Sequence, residues 1–194
     1  MAKVIAETER LRLREWNPDD EVRFYDVMNR PEVMEYLGGL QTPEEWRAAY
    51  SRVVGFQQDY GHTFWIVEDR ATEAIIGFCG IKRANAPGCG ELLGTHEIGW
   101  RLLPELWGKG IAKEAAVASL DVAFGLLEAP VVIATTVPAN EPSQGLMKRL
   151  GMKRRAELDY VDPRFGPELN PTIVFTLDAN DWPSARKAAL TTSR

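Results

Sequence analysis

Leu11 and Leu13 alternate with Arg10, Arg12 and Arg14 along residues 9–16. Period-two alternation predicts a strand with one buried face. Asn17-Pro18-Asp19-Asp20 reads as a helix start, with Asn17 as cap and Pro18 in the first turn. Thr42-Pro43-Glu44-Glu45 reads as a second start, with Thr42 and Glu45 placed as a capping box. Trp46, Ala49, Tyr50, Val53 and Gln57 follow at helical spacing, so this helix is expected to reach Tyr60 and stop at Gly61.

Strand patterns follow at residues 63–68, 74–82 and 95–102. A short polar connection over 69–73 makes the first two an antiparallel hairpin. Residues 84–94 hold Pro87, Gly88, Gly90 and Gly94 and read as a mobile loop. A helix is expected over 111–126, with Ile111, Ala115, Ala118, Val122 and Leu126 on its apolar stripe. Residues 131–137 are β-branched and apolar, a buried strand. Residues 140–150 form a short helix closed by Gly151. Two strands, 152–160 and 171–177, complete the core. From Asp181 onward Trp182, Ala185 and Ala189 have helical spacing, and the last residues are expected to fray.

This order predicts an α/β (α+β) fold with a mixed, largely antiparallel sheet flanked by helices. No repeat or linker divides the 194 residues, so one domain is expected over 1–194, with its core at about 7–177 and a tail over 178–194. Trp182 in that tail is expected to pack on the domain or on another subunit, which would make a homodimer.

Composition narrows the classes. Six Trp, seven Phe and five Tyr supply core material. A net charge of −5 argues against a duplex nucleic-acid partner. No segment approaches the apolar length of a membrane span, and the first 14 residues lack an apolar signal core. Cys79 and Cys89 are too few for a disulfide framework, and with His62 and His96 the only histidines no metal site is expected. A reducing cytoplasm is the expected compartment.

The chemistry concentrates in His96-Glu97-Ile98-Gly99-Trp100-Arg101-Leu102 and Trp107-Gly108-Lys109-Gly110-Ile111-Ala112. A strand runs into a glycine turn that opens a helix. Such a turn lets backbone N–H groups approach an anion at the positive end of the helix dipole. Lys109 and Lys113 add charge there. The same glycines also suit a plain tight turn. A dinucleotide fingerprint would need a third glycine where Lys113 stands. A Walker loop would need Ser or Thr where Gly110 follows Lys109.

The whole arrangement resembles the GNAT superfamily of acyl-CoA N-acyltransferases, and within it the ribosomal-protein N-terminal acetyltransferase type. That family's Gln/Arg-x-x-Gly-x-Gly/Ala signature falls on residues 107–112, where Gly110 and Ala112 match and Trp107 departs. Three other pieces match: Glu97 to Leu102 as the strand that pairs with pantetheine, Asn140 and Ser143 before Arg149-Leu150-Gly151-Met152, and Thr8 to Arg14 as this branch's opening strand. The resemblance implies acetyl-CoA as co-substrate, held by Ile98, Gly99, Trp100, Arg101, Leu102, by Trp107, Gly108, Lys109, Gly110, Ile111, Ala112 and Lys113, and by Asn140 and Ser143. It implies an amine acceptor, either a protein N-terminus or a small molecule.

Amide formation from a thioester needs a neutral amine, a polarised carbonyl and a proton for the thiolate. Amines arrive largely protonated, so a base helps. Glu97 is the first candidate, directly or through water, and His96 the second. Strand alternation sends their side chains to opposite faces, so at most one faces the acceptor. A backbone N–H of 100–102 is the expected carbonyl donor. Relatives often place a tyrosine in the helix after the asparagine; this helix has none, and Ser143 is its hydroxyl. Each has a plainer reading: Glu97 a polar strand residue, His96 a hydrogen-bonded histidine, Ser143 a first-turn serine, Asn140 an N-cap. The basic residues Lys148, Arg149, Lys153, Arg154 and Arg155 suit either the coenzyme's adenosine phosphate or a solvated face. The net charge favours a cationic acceptor. Two alternatives remain: a non-catalytic acyl-CoA-binding module, and transfer of another acyl group such as succinyl.

Overall fold

The structure, a computed structural model, describes residues 2–191. Its strands are β1 (Val4–Glu7), β2 (Leu11–Arg14), β3 (Phe64–Asp69), β4 (Ile75–Arg83), β5 (His96–Leu102), β6 (Val131–Thr136), β7 (Lys153–Arg154) and β8 (Ile173–Asp178). Its α-helices are α1 (Asp20–Met28), α2 (Pro31–Met34), α3 (Pro43–Tyr60), α4 (Ile111–Gly125), α5 (Glu141–Arg149) and α6 (Trp182–Thr191). The strands form one sheet in the order β1-β2-β3-β4-β5-β6-β8-β7. Neighbours are antiparallel except β5 and β6, which run parallel. This is the mixed, antiparallel-dominated α/β arrangement that the element order predicts.

Alternation along the strands gives the sheet two covered faces. One carries Leu11, Leu13, Trp65, Cys79, Ile98 and Leu102 against Ala115, Ala116, Leu120 and Ala123 of α4. The other carries Ile66 against Phe24 and Met28 of α1, Met34 of α2 and Trp46 of α3. A buried ion triad ties α1 to the sheet: Arg14 donates to Glu68 at 2.7 Å and to Asp20 at 2.6 Å. The Thr42 capping box forms as expected, with Glu45 N–H on Thr42 Oγ1 at 3.2 Å and Thr42 N–H on Glu45 Oε2 at 2.8 Å. Gly61 ends α3 in a left-handed conformation.

Several expectations need correction. The charged N-terminus contains β1, and Thr8 to Arg10 is the turn into β2. Asn17 does not cap α1; the helix begins at Asp20, whose carboxylate accepts the Asn17 N–H at 2.6 Å. The strand expected over 152–160 is reduced to β7 and a bridge at Tyr160, because Ala156–Leu158 turns in a 3-10 helix. Leu126 lies past the end of α4 and is 75% exposed, so it is outside the apolar stripe. The loop over 84–94 is anchored, since Cys89 and Leu92 are buried with Ile133 and Val174. Trp182 packs on its own domain: it is buried beside Phe124 and donates to Asp121 at 3.0 Å. The fraying expected at the C-terminus concerns 192–194, which lie outside the described residues.

Candidate active site

Strand β5 is paired along one edge and open along most of the other. On the β4 side the register runs unbroken from His96 to Leu102. On the β6 side it covers only His96↔Val132 and Glu97↔Ile133. Thr95 O accepts from Ala84 N–H at 2.8 Å, and Leu103 N–H donates to Ile76 O at 3.0 Å. Odd-numbered residues therefore direct their backbone groups at β4. By alternation the even-numbered residues face β6, which engages Ile98 N–H through the pair Glu97↔Ile133 and then ceases to pair, so Ile98 O, Trp100 and Leu102 direct their groups at the gap. Unpaired strand edges of this kind accept an extended ligand by backbone hydrogen bonds. Leu102 O is already taken by the Trp107 indole N–H at 2.9 Å.

The strand then turns into α4. Gly108 and Gly110 have φ of 71° and 77°, a conformation that suits glycine. Space beside Gly108 is open, and a Cβ on Gly110 would have only Arg10 Nη2 near it, at 3.7 Å. Glu114 N–H is bonded back to Gly110 O at 3.0 Å, so the amides of Ile111 and Ala112 precede the helix's own ladder. The turn is thus a cradle of backbone donors at a helix N-terminus, with Lys109 exposed beside it. Ile111 is buried in the core and Ala112 packs against it, so these two contribute backbone, not side chain, to the cradle.

A clamp outside the motif fixes this turn. Glu114 Oε1 accepts from Thr8 Oγ1 at 2.5 Å, and its Oε2 accepts from Arg10 Nε at 2.6 Å. Arg10 Nη1 also reaches Lys109 O at 3.1 Å. The opening Thr8-Glu9-Arg10 segment thus holds the start of α4, a role that strand patterning alone does not reveal.

Asn140 caps α5, its Oδ1 accepting from Ser143 N–H at 3.2 Å. No hydrogen bond from the Ser143 hydroxyl to protein occurs among the described residues, which leaves it free to meet a ligand. The basic cluster is divided. Lys153 pairs with Asp181 at 2.6 Å, Arg154 with Asp159 at 2.7 Å and Arg155 with Glu157 at 2.6 Å. Lys148 and Arg149 are exposed on the last turn of α5.

Glu97 and His96 lie on opposite faces. Glu97 pairs with Lys82 across β4 and accepts from Thr135 Oγ1 at 2.9 Å. Its carboxylate is mostly buried, with a side-chain exposure of 14%. Each oxygen retains a second lone pair for a water or an amine. Burial pushes the Tyr160 phenol well up, and the charge of Glu97 adds to the effect. Tyr160 therefore keeps its proton near neutral pH. His96 sits in a buried pair with His62, ring centroids 5.5 Å apart. Burial, with Arg83 and His62 nearby, pushes its pKa down to about 4. The His96 ring is thus neutral at pH 7 and turned away from the Glu97 face.

Gly99 lies between Glu97 and Arg101 on that same face. A Cβ there would come within 2.6 Å of Phe64 Cζ, so the ring of Phe64 occupies the missing side chain's place. Phe64 stacks on Phe78 at 5.0 Å, and the Arg101 guanidinium lies 5.2 Å from the Phe78 ring. No group of three or more metal-ligating side chains occurs among the described residues.

Comparison with known proteins agrees with this geometry. The family model of the acetyltransferase (GNAT) domain matches residues 10–153. YnaD of Bacillus subtilis, described as an uncharacterized N-acetyltransferase, is 33% identical over 176 residues, covering 90% of this chain and 97% of that protein. An acetyltransferase from Agrobacterium tumefaciens has a solved structure that superposes with a TM-score of 0.71 at 27% identity, over 89% of this chain and 92% of that one. The ribosomal-protein-S5-alanine acetyltransferase of Vibrio fischeri shares the fold, with a TM-score of 0.71 at 20% identity over 91% and 97% of the two chains. The strand edge, the glycine cradle and these likenesses converge: the chain belongs to the GNAT family of acetyltransferases.

Proposed function

We propose that the protein transfers an acetyl group from acetyl-CoA to a primary amine, by direct attack within a ternary complex. The acceptor is a protein N-terminus or a small amine. One observation carries this reading: the open edge of β5 at Ile98 O and Trp100 leads straight into the cradle at Gly108 and Gly110. An extended chain ending in a pyrophosphate fits both parts, and the pantetheine and pyrophosphate of coenzyme A have that form.

When bound, the thioester supplies an activated acyl carbon. The chain's own groups do the rest. Trp100 offers a backbone donor and acceptor to the pantetheine, and Ile98 an acceptor. The glycine-turn amides offer donors to the pyrophosphate, with Lys109 and Lys113 at the rim. Asn140 and Ser143 lie at the start of α5, on the coenzyme side. A Trp100 or Leu102 N–H polarises the thioester carbonyl. The amine nitrogen forms a bond to the acyl carbon as the carbon–sulfur bond breaks. Glu97 receives the amine proton, through water where the distance requires it. The departing thiolate takes a proton from Ser143, from Tyr160 or from water.

Calorimetric titration with acetyl-CoA, succinyl-CoA and free coenzyme A, joined to a thiol-release assay over an amine panel, tests this. Micromolar binding with a preference for acetyl-CoA, and steady thiol release, are expected. Binding of none of the three would overturn the coenzyme assignment. Tight binding without thiol release would favour a non-catalytic module.

A further inference from the structure

Arg101 is a mostly buried guanidinium with no anion to meet it. Its Nη1 has only the thioether sulfur of Met34, at 3.5 Å, and its Nε–H is buried without any acceptor. Thioether sulfur is a weak acceptor. No carboxylate lies within 4.0 Å of Arg101 among the described residues, although fifteen other ion pairs form in the same molecule. A buried charge without a partner is costly, and such a cost persists where a ligand supplies the partner.

The position is informative. Arg101 follows Trp100, whose backbone faces the gap beside β5, and it shares a face with Glu97. Two loops meet near Met34, whose carbonyl accepts from Leu37 N–H at 3.0 Å and Gly39 N–H at 3.1 Å. The turn after α2 contributes Gly38, and a Cβ there would lie 3.3 Å from Phe165 Cε1 in the segment after Tyr160. The floor beneath is Phe64 and Phe78, both half-buried. The carboxylate that shares its face, Glu97, is already satisfied by Lys82 and Thr135. Arg101 is therefore a positive charge without a counter-ion on this face. A positive charge here would favour an anionic group on the acceptor, against the cationic acceptor expected from the net charge of −5.

Resting on the acetyltransferase reading above, we propose that Arg101 binds the carboxylate of the acceptor, and that the acceptor is a small amine bearing that carboxylate, of the free amino acid type. The guanidinium fork matches a carboxylate with two parallel N–H donors. Carboxylate binding would displace the Met34 sulfur and satisfy the orphaned donors. The close approach of Gly38 to Phe165 closes two segments of the chain on each other, which suits a small molecule better than a polypeptide chain.

The test uses the full chain with acetyl-CoA. Acceptors are the twenty common amino acids, β-alanine and γ-aminobutyrate, each set against its carboxamide, with alanyl and seryl peptide amides alongside. Wild type is expected to favour at least one free carboxylate over its amide by about 10²-fold in kcat/KM. In Arg101→Met, which suits the apolar surroundings, that ratio falls to near one, with the loss in KM. Arg101→Lys keeps part of the ratio. A purely structural role would depress both members of a pair equally and leave the ratio intact, which overturns the proposal. So does faster turnover of amides or peptide amides than of every free carboxylate, or no turnover of any carboxylate by protein that binds acetyl-CoA. Failure to bind acetyl-CoA would overturn the transferase reading itself, a result separable by calorimetry from any acceptor preference.

Discussion

The two sides of β5 are built by different means. On the α4 side the site is mostly backbone: unpaired groups at Ile98 O and Trp100, then a turn shaped by Gly108 and Gly110. On the α1 side it is mostly side chain: Glu97, Lys82, Thr135, Phe64, Phe78 and Arg101. The difference follows from what each side meets. A coenzyme presents the same amides and phosphates every time, and backbone donors serve it with few side chains. An acceptor varies among enzymes of one fold, and its recognition falls to side chains that can change without disturbing the sheet.

The sharpest way to break the comparison is at the backbone side. Gly110→Glu places a Cβ at φ 77° and a carboxylate where a pyrophosphate is to sit. Left-handed strain costs about 1–2 kcal/mol, which the rest of the fold tolerates. Like-charge contact lowers acetyl-CoA affinity by about 10³-fold. Calorimetry and far-ultraviolet circular dichroism together check this. A folded variant that binds acetyl-CoA as wild type does would remove the pyrophosphate from the turn.

Glu97→Gln probes the other side. The amide keeps the size of the carboxylate and loses its charge, its basicity and the ion pair with Lys82. Turnover is expected to fall by about 10²-fold, with a much smaller change in acetyl-CoA affinity. The pH dependence of the residual rate is the discriminating measurement. If the variant matches wild type at every pH, Glu97 is only a polar strand residue held by Lys82 and Thr135.

Legibility in the sequence divides along the same line. Gly99, Trp107, Gly108 and Gly110 lie within a dozen residues, so local spacing exposes the coenzyme side. The proposed acceptor side draws on Met34, Phe64, Phe78, Lys82, Arg101, Thr135 and Tyr160, which strand register and the packing of α2 and the later loops bring together. Arg101 in particular reads as one more polar strand residue until its missing partner is seen. The fold shows a similar division. The Thr42 capping box and the Gly61 stop are local, and both are visible in the chain. The interruption of the strand expected after Met152 is not local. There Asp159 accepts the Val174 N–H at 3.1 Å, and Arg155 N–H reaches Val174 O at 2.9 Å across the sheet.

A smaller effect is expected from Glu114→Ala, which sharpens the meaning of the opening Thr8-Glu9-Arg10 segment. The variant strands the Thr8 hydroxyl and the Arg10 fork at the first turn of α4. The stability loss is about 1 kcal/mol, since Arg10 is partly exposed and can turn to water. Acetyl-CoA affinity falls by about tenfold if the clamp orders the cradle. Thermal unfolding and calorimetry separate the two effects. Lost stability at full affinity would make the clamp a fold device only.

The smallest effect is expected at Trp107, where the chain departs from the Gln or Arg of the family signature. Its ring is 52% exposed, so burial does not account for it. Its indole N–H instead donates to Leu102 O at 2.9 Å, linking the last residue of β5 to the start of the turn. Glutamine and arginine also carry N–H donors, so the departure replaces one donor with another. Trp107→Phe keeps an aromatic ring and deletes this hydrogen bond. Acetyl-CoA affinity should weaken by about threefold, the size of a net hydrogen bond of under 1 kcal/mol. Trp107→Gln should restore affinity relative to Trp107→Phe, because its amide can again donate near Leu102. If the phenylalanine variant binds as wild type and the glutamine variant binds worse, the ring and not the donor is what the turn requires. The signature position would then be a contact surface in this chain, and the backbone account of the coenzyme side would need a side chain after all.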